Sequence, residues 1–225
     1  YPIVEVAADG SFTLGKPEGT GGLVAAAAVA EQLLYEIGDP GAYLLPDVIC
    51  DFRDVRIEQA GIDRVRVSGA RGLPPTDAYK VSATAMQGFR ATATLVIVGI
   101  DAVAKAERTA ESILARTRTL LRGGGFADFS ATDVEMVGAE ASYGPWSRAR
   151  GTREVMLRIV ADHADRRALQ LFAREIAPAG TSWSPGTTGA GGRPGVSPLI
   201  RPLAFLLNKR AVQASFTLDG HRHPV

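Results

Sequence analysis

The sequence predicts an α+β fold in which a mainly antiparallel sheet carries helices packed on one face. From Tyr79 onward, strand patterns alternate with helix patterns, and turn residues separate them. Their order reads β-β-α-β and then β-α-β-β, which is typical of an α+β sandwich. This domain is expected to cover residues 51–225, and residues 1–50 are expected to be the end of a truncated α/β portion that continues upstream.

The first fifty residues combine a strand with an apolar helix. Residues 1–6 alternate as a strand, and the chain therefore begins inside an element, which indicates a fragment of a longer protein. Apolar residues then recur at helical spacing from Leu23 to Ile37, with alanine at most positions between them. This pattern predicts a helix buried on most sides. Gly38 and Asp39-Pro40 mark its end.

The next segments predict a hairpin and then a pair of longer strands. Residues 55–58 and 64–67 alternate around the turn Gly61-Ile62-Asp63, and residues 71–77 read as an extended loop. Residues 79–85 are predicted to form a strand that turns at Gln87-Gly88 into a long strand over residues 89–100.

Two helices follow, each with a clear apolar face. Asp101 is predicted to cap a helix that ends at Arg122 and packs inward through Ile113, Leu114, Leu120 and Leu121. The second helix is predicted over residues 165–177. The remaining strands are expected at residues 133–141, 153–161, 199–206 and 211–218.

Composition narrows the function classes. The 225 residues are 46% hydrophobic and carry 25 basic and 24 acidic side chains, a net charge of +1 that argues against nucleic acid or an anionic membrane as partner. Cys50 is the only cysteine, which excludes an internal disulfide and a cysteine-based zinc site and fits a reducing cytoplasm. The three histidines offer little material for a metal site, and no cofactor motif is evident.

A glycine-rich loop ahead of the first helix is the strongest candidate for a binding site. Lys16 supplies a charge, Gly19, Gly21 and Gly22 let a ligand approach the backbone, and Thr20 can cap the helix or donate to a ligand oxygen. The loop therefore predicts an anion site with Lys16 exposed to solvent. Its spacing fits neither the P-loop nor the dinucleotide fingerprint, and the alternative is a purely structural turn.

A second glycine-rich segment, residues 184–195, is predicted to be a mobile loop that acts as a lid or ligand clamp. Thr187 and Arg193 are its candidate ligand-binding residues, because a guanidinium suits a carboxylate or phosphate. Plain disorder is the alternative.

Among the carboxylates, Glu18 and Asp51 flank the first loop and helix and are the candidate general bases, provided that burial raises their pKa. Turn capping or surface charge is the alternative for both.

Long segments of the chain resemble the acyclic terpene utilisation protein A (AtuA) family. The resemblance rests on Asp9-Gly10-Ser11-Phe12, Lys16-Pro17, Gly19-Thr20-Gly21-Gly22, residues 29–40, Tyr43 with Pro46-Asp47-Val48, residues 63–65 and 68–72, Tyr79-Lys80-Val81-Ser82, and Gly192-Arg193-Pro194. It implies a longer protein with an upstream α/β portion and a role in bacterial catabolism of citronellol and geraniol, alongside acyl-CoA carboxylases. It does not specify a reaction.

Two functions follow as hypotheses. In the first, the protein is an enzyme or an acyl-CoA-handling component of acyclic terpenoid or branched acyl-CoA breakdown, with an anionic ligand or CoA thioester at the Lys16 loop. In the second, it is a non-catalytic accessory subunit whose hairpin and sheet edges bind a partner. Either way a homo-oligomer, or a complex with the missing segments, is expected in the cytoplasm.

Overall fold

The computed structural model describes residues 2–224, apart from the side chains of Ala179 and Gly180. Tyr1, at the start of the first predicted strand, lies outside the described residues. The strands are β1 Ile3–Val6, β2 Phe12–Gly15, β3 Tyr43–Leu44, β4 Ile49–Asp51, β5 Arg56–Gly61, β6 Arg64–Ser68, β7 Arg71–Leu73, β8 Ala78–Val98, β9 Ala131–Val137, β10 Glu154–His163, β11 Thr187–Gly189, β12 Val196–Asn208, β13 Ser215–Leu218 and β14 His221–Pro224. The α-helices are α1 Ala26–Leu34, α2 Ala102–Gly123, α3 Arg166–Arg174 and α4 Ala179–Ser182, and 3₁₀ turns cover Ala141–Trp146 and Lys209–Ala211.

The sheets are mostly antiparallel and helices pack on them, which confirms the predicted α+β class. The chain forms two compact units, residues 1–83 with 204–225 and residues 84–203. In the first unit, residues before position 50 share their sheets with residues after it, since β2 pairs with β6 and β4 pairs with β7. An α/β portion upstream of residue 51 stays a prediction.

The unit of residues 84–203 holds the larger core. Inward side chains alternate along β8 and β10, and the register sets Leu95 opposite Leu157. Helices α2 and α3 both pack on β10, so this face of the sheet carries two helices as predicted. The predicted phase of α2 is confirmed, because Ile113, Leu114 and Leu121 are buried. Leu120 is only half-buried.

Three local predictions about this unit are wrong. No turn forms at Gln87-Gly88; β8 continues through it, because Gly88 takes a φ of +100° and lets the strand pass close to the His163 carbonyl. Asp101 precedes α2 but adopts a left-handed φ of 58° and makes no side-chain cap. The strand predicted to reach residue 141 ends at Val137, where Gly138 and a 3₁₀ turn redirect the chain.

The unit of residues 1–83 and 204–225 contains the sheet β1-β2-β6-β5, and α1 lies on it beside β5. The predicted hairpin is present as β5 and β6. The prediction that the first helix is buried on most sides is wrong, since none of the residues of α1 is fully buried. Only one face of the helix meets the sheet, through residues such as Val29, and the alanine-rich remainder faces outward. The predicted extended loop at residues 71–77 begins with β7, which pairs with β4.

Candidate functional site

The backbone carbonyls of the glycine-rich loop accept hydrogen bonds from Lys16, the lysine at the start of the loop. The Lys16 ammonium donates to the carbonyl of Thr20 at 2.7 Å and to that of Gly22 at 3.0 Å, and it forms an ion pair with Asp63 at 3.2 Å. An ammonium has three donors. The side chain is 17% exposed, so the expectation of a solvent-exposed Lys16 is wrong. An external anion would have to displace one of these three partners.

Asp63 supplies the anion that the loop was predicted to bind from solution. Its Oδ1 accepts the Val24 N–H at 3.0 Å, while its Oδ2 faces Lys16. These contacts, the Val24 N–H first and Lys16 second, lower the pKa of Asp63 below its ordinary value. The residue sits in the β5–β6 turn with a φ of 51°, a conformation that aspartate tolerates better than most residues.

A side chain of the β5–β6 hairpin also accepts a hydrogen bond from the backbone at the start of α1. The Ala26 N–H donates to Oε1 of Gln59 at 2.9 Å, and the amide nitrogen of Gln59 donates to the carbonyl of Gly61. Thr20 does not cap the helix, because α1 begins six residues later and the Thr20 hydroxyl donates to the Pro17 carbonyl at 2.7 Å.

Beside this loop lies an apolar cavity of about 500 Å³. Its walls come from β2, β6, α1 and the segment before α1, and they are formed mainly by Phe12, Leu14, Val24, Val29, Leu33 and Val67. Four of the predicted ligand-binding residues line it as well, namely Lys16, Thr20, Gly21 and Gly22. Gly19, the fifth, is exposed at the loop tip with a φ of +73°. The loop therefore forms the polar part of a cavity whose walls are mostly hydrocarbon.

The two candidate acids differ in surroundings. Glu18 is exposed on the loop. Asp51 is largely buried at the end of β4 and accepts hydrogen bonds from Arg53 at Nε, at the terminal guanidinium nitrogen and at the backbone N–H, at 2.9, 2.7 and 3.1 Å. The Arg53 contacts lower the pKa of Asp51 to about 2. This shift is opposite to the one that a general base near neutral pH requires.

Thr187 and Arg193 belong to the other unit. Thr187 opens β11, pairs with Ile97 of β8 and lies with its hydroxyl 3.1 Å from that of Ser184. Part of the predicted mobile loop is thus a strand of the sheet. Gly186 fits there because its φ is +88° and a Cβ would lie 2.3 Å from the Val98 carbonyl oxygen. Arg193 lines a separate cavity of about 300 Å³.

One protein family matches almost the whole chain. The model of the acyclic terpene utilisation family protein AtuA matches residues 1–218, which include the loop, the cavity and Arg193. The chain belongs to the AtuA family. No curated protein matches the chain, and no solved structure does. None of the helices within residues 2–224 is long and apolar enough to cross a membrane.

Two residues of the candidate site of this AtuA-family chain were not predicted from the sequence. Asp63 and Gln59 lie on the hairpin, 47 and 43 positions after Lys16 in the sequence, and no local pattern connects them with the loop. A signal for Asp63 was present, because it occupies the hairpin turn and begins a segment of the family resemblance. Across the described residues, no group of three or more His, Cys, Asp or Glu side chains is placed to hold a metal ion.

Proposed function

We propose that this AtuA-family chain takes part in bacterial breakdown of acyclic terpenoids by binding the branched hydrocarbon chain of a citronellol- or geraniol-derived acyl-CoA. The binding site is the cavity beside α1. The observation that carries the proposal is the contrast between the cavity's apolar walls and the glycine-rich loop at its edge.

The walls favour a hydrocarbon chain over a polar ligand. Phe12, Leu14, Val29 and Val67 also belong to the small core of this unit, so the cavity is continuous with packed apolar side chains. Its volume of about 500 Å³ lies in the range of small-molecule sites. Each buried methylene contributes about 0.8 kcal/mol, which is roughly a fourfold gain in affinity. A longer isoprenoid chain is therefore expected to bind more tightly than a shorter one.

The loop is suited to the neutral part of such a ligand. Lys16 is already neutralised by Asp63, so the cavity edge carries no uncompensated charge from this pair. A thioester is uncharged and its carbonyl accepts hydrogen bonds. The phosphates of CoA lie beyond the cavity in this proposal. Direct contact between an anionic ligand and Lys16, which the sequence predicts, is a separate hypothesis. Glu18 is exposed on the loop and is the candidate acid for a proton transfer.

The test is a calorimetric titration of the 225-residue chain with acetyl-CoA, a five-carbon isoprenoid acyl-CoA and a ten-carbon one. Affinity is expected to rise along this series. Ala28→Phe, which fills the cavity from α1, is expected to weaken the ten-carbon ligand at least tenfold. Ala27→Phe is the matched control, since Ala27 is also exposed on α1 but does not line the cavity. Equal affinity for all three thioesters, or no effect of Ala28→Phe, would contradict the proposal.

A non-catalytic accessory role is the second candidate, and the sheet edge favours it. β1 is the terminal strand of β1-β2-β6-β5, and its side chains Ile3, Val4 and Val6 are exposed. Such an edge can pair with a strand of a partner. This function predicts no tight small-molecule complex, so the same titration separates it from the first.

A further inference from the structure

The segment that carries Arg193 is fixed at both ends to one strand. β11 pairs with Ile97, Val96 and Leu95 of β8, and the Ala190 N–H extends this pairing by donating to the Thr94 carbonyl at 3.2 Å. At the other end, β12 begins at Val196 and also pairs with β8. Residues 191–195 are therefore a short connection between two strands anchored on the same neighbour. This anchoring limits where Arg193 can lie.

Arg193 borders a cavity of about 300 Å³ in the unit of residues 84–203. Leu95 and Ile176 form part of its wall and are both buried, and Ala173, Ala177 and Gly192 complete much of the lining. The wall is thus aliphatic and the rim carries a guanidinium. At this volume the cavity lies at the lower end of the range for small-molecule sites.

The charge on Arg193 has no counterpart in the described part of the chain. Arg193 is exposed and forms no ion pair with residues 2–224, as is also true of other arginines of this unit such as Arg201. Arg193 differs from Arg201 because it borders the cavity. A guanidinium presents a planar fork of donors that matches a carboxylate in a bidentate geometry.

We propose that this cavity binds a small carboxylate with a short aliphatic tail, the carboxylate on Arg193 and the tail against Leu95 and Ile176. This site is separate from the cavity beside α1 and takes a different ligand. It goes beyond the proposed function, because the ligand is a free acid of few carbons rather than a long-chain thioester.

The experiment is a calorimetric titration of the 225-residue chain with 3-methylbutanoate, its neutral counterpart 4-methylpentan-2-one, and acetate. The branched acid is expected to bind at least tenfold more tightly than the ketone, which lacks the charge, and than acetate, which lacks the tail. Arg193→Gln is expected to abolish the preference for the acid over the ketone. Arg201→Gln is the control, since Arg201 is exposed on β12 and does not line the cavity.

Two results would overturn the inference: equal affinity for 3-methylbutanoate and acetate, or equal loss with Arg193→Gln and Arg201→Gln. Ala28→Phe, which fills the cavity beside α1, is expected to leave 3-methylbutanoate binding unchanged. The two proposals can therefore fail independently.

Discussion

At the scale of single residues, Lys16 joins parts of the chain that are distant in sequence. Its ammonium connects two loop carbonyls with the carboxylate of Asp63 on the hairpin. The same carboxylate holds the Val24 N–H just before α1. One lysine and one aspartate therefore fix the loop, the hairpin and the approach to the helix.

Lys16→Ala is expected to lower the Tm at neutral pH, because it leaves the Asp63 carboxylate and two loop carbonyls without their partner. The Val24 N–H, which the variant keeps, and then Lys16 hold the pKa of Asp63 below its ordinary value of 3.8. The part of the stabilisation that Lys16 supplies is present above that pH and is lost as the pH falls through the lowered pKa. The difference in Tm between wild type and variant should therefore narrow below pH 3.8. Thermal unfolding followed by circular dichroism at several pH values measures it.

Lys105→Ala is the control for that comparison, since Lys105 lies on α2, outside the unit that contains the loop. Equal Tm values for wild type and Lys16→Ala at pH 7 would contradict the structural role of the lysine.

At the scale of elements, α2 shows which features a sequence can specify. Its apolar residues recur over six turns, and a pattern of this length fixes both the helix and its buried face. The short α1 has no apolar pattern long enough to specify its buried face. Its alanines fit a buried face or an exposed one equally well, and the neighbouring sheet settles which applies.

The strand break predicted at Gln87-Gly88 failed for a related reason. Glycine marks turns and also marks places where two backbones approach closely. At Gly88 the second applies, because β10 ends beside it and the His163 carbonyl leaves no space for a Cβ. The partner strand lies more than seventy residues away in sequence, so no local pattern distinguishes the two cases.

Two adjacent leucines test the packing of α2. Leu121 is fully buried, whereas its neighbour Leu120 is half-buried. Leu121→Ala is expected to lower the free energy of unfolding by about 2–5 kcal/mol, because it removes buried apolar groups and leaves a cavity. Leu120→Ala should cost clearly less. Urea denaturation gives both values, and equal costs would mean that the buried face of α2 is assigned incorrectly.

At the scale of the whole molecule, the candidate sites depend on tertiary contacts that the sequence shows only in part. The loop residues Lys16, Thr20, Gly21 and Gly22 were predicted as a binding site, and they do line a cavity. Its apolar walls could not be predicted, because Phe12, Val29 and Val67 come from β2, α1 and β6 and meet only in the folded unit. The sequence suggested an anion site at Lys16 because Asp63, which occupies that position in the folded chain, lies far from the loop in sequence.

The central claim is that the cavity beside α1 holds the isoprenoid chain, and methyl NMR tests it most directly. The chain is labelled at leucine and valine methyl groups, and intermolecular NOEs are recorded with a bound ten-carbon isoprenoid acyl-CoA. NOEs from the isoprenoid methyls to Leu14, Val29 and Val67 are expected, since these side chains form the cavity wall. NOEs confined to methyl groups outside the cavity, such as those of Leu157 and Leu169 in the other unit, would contradict the account.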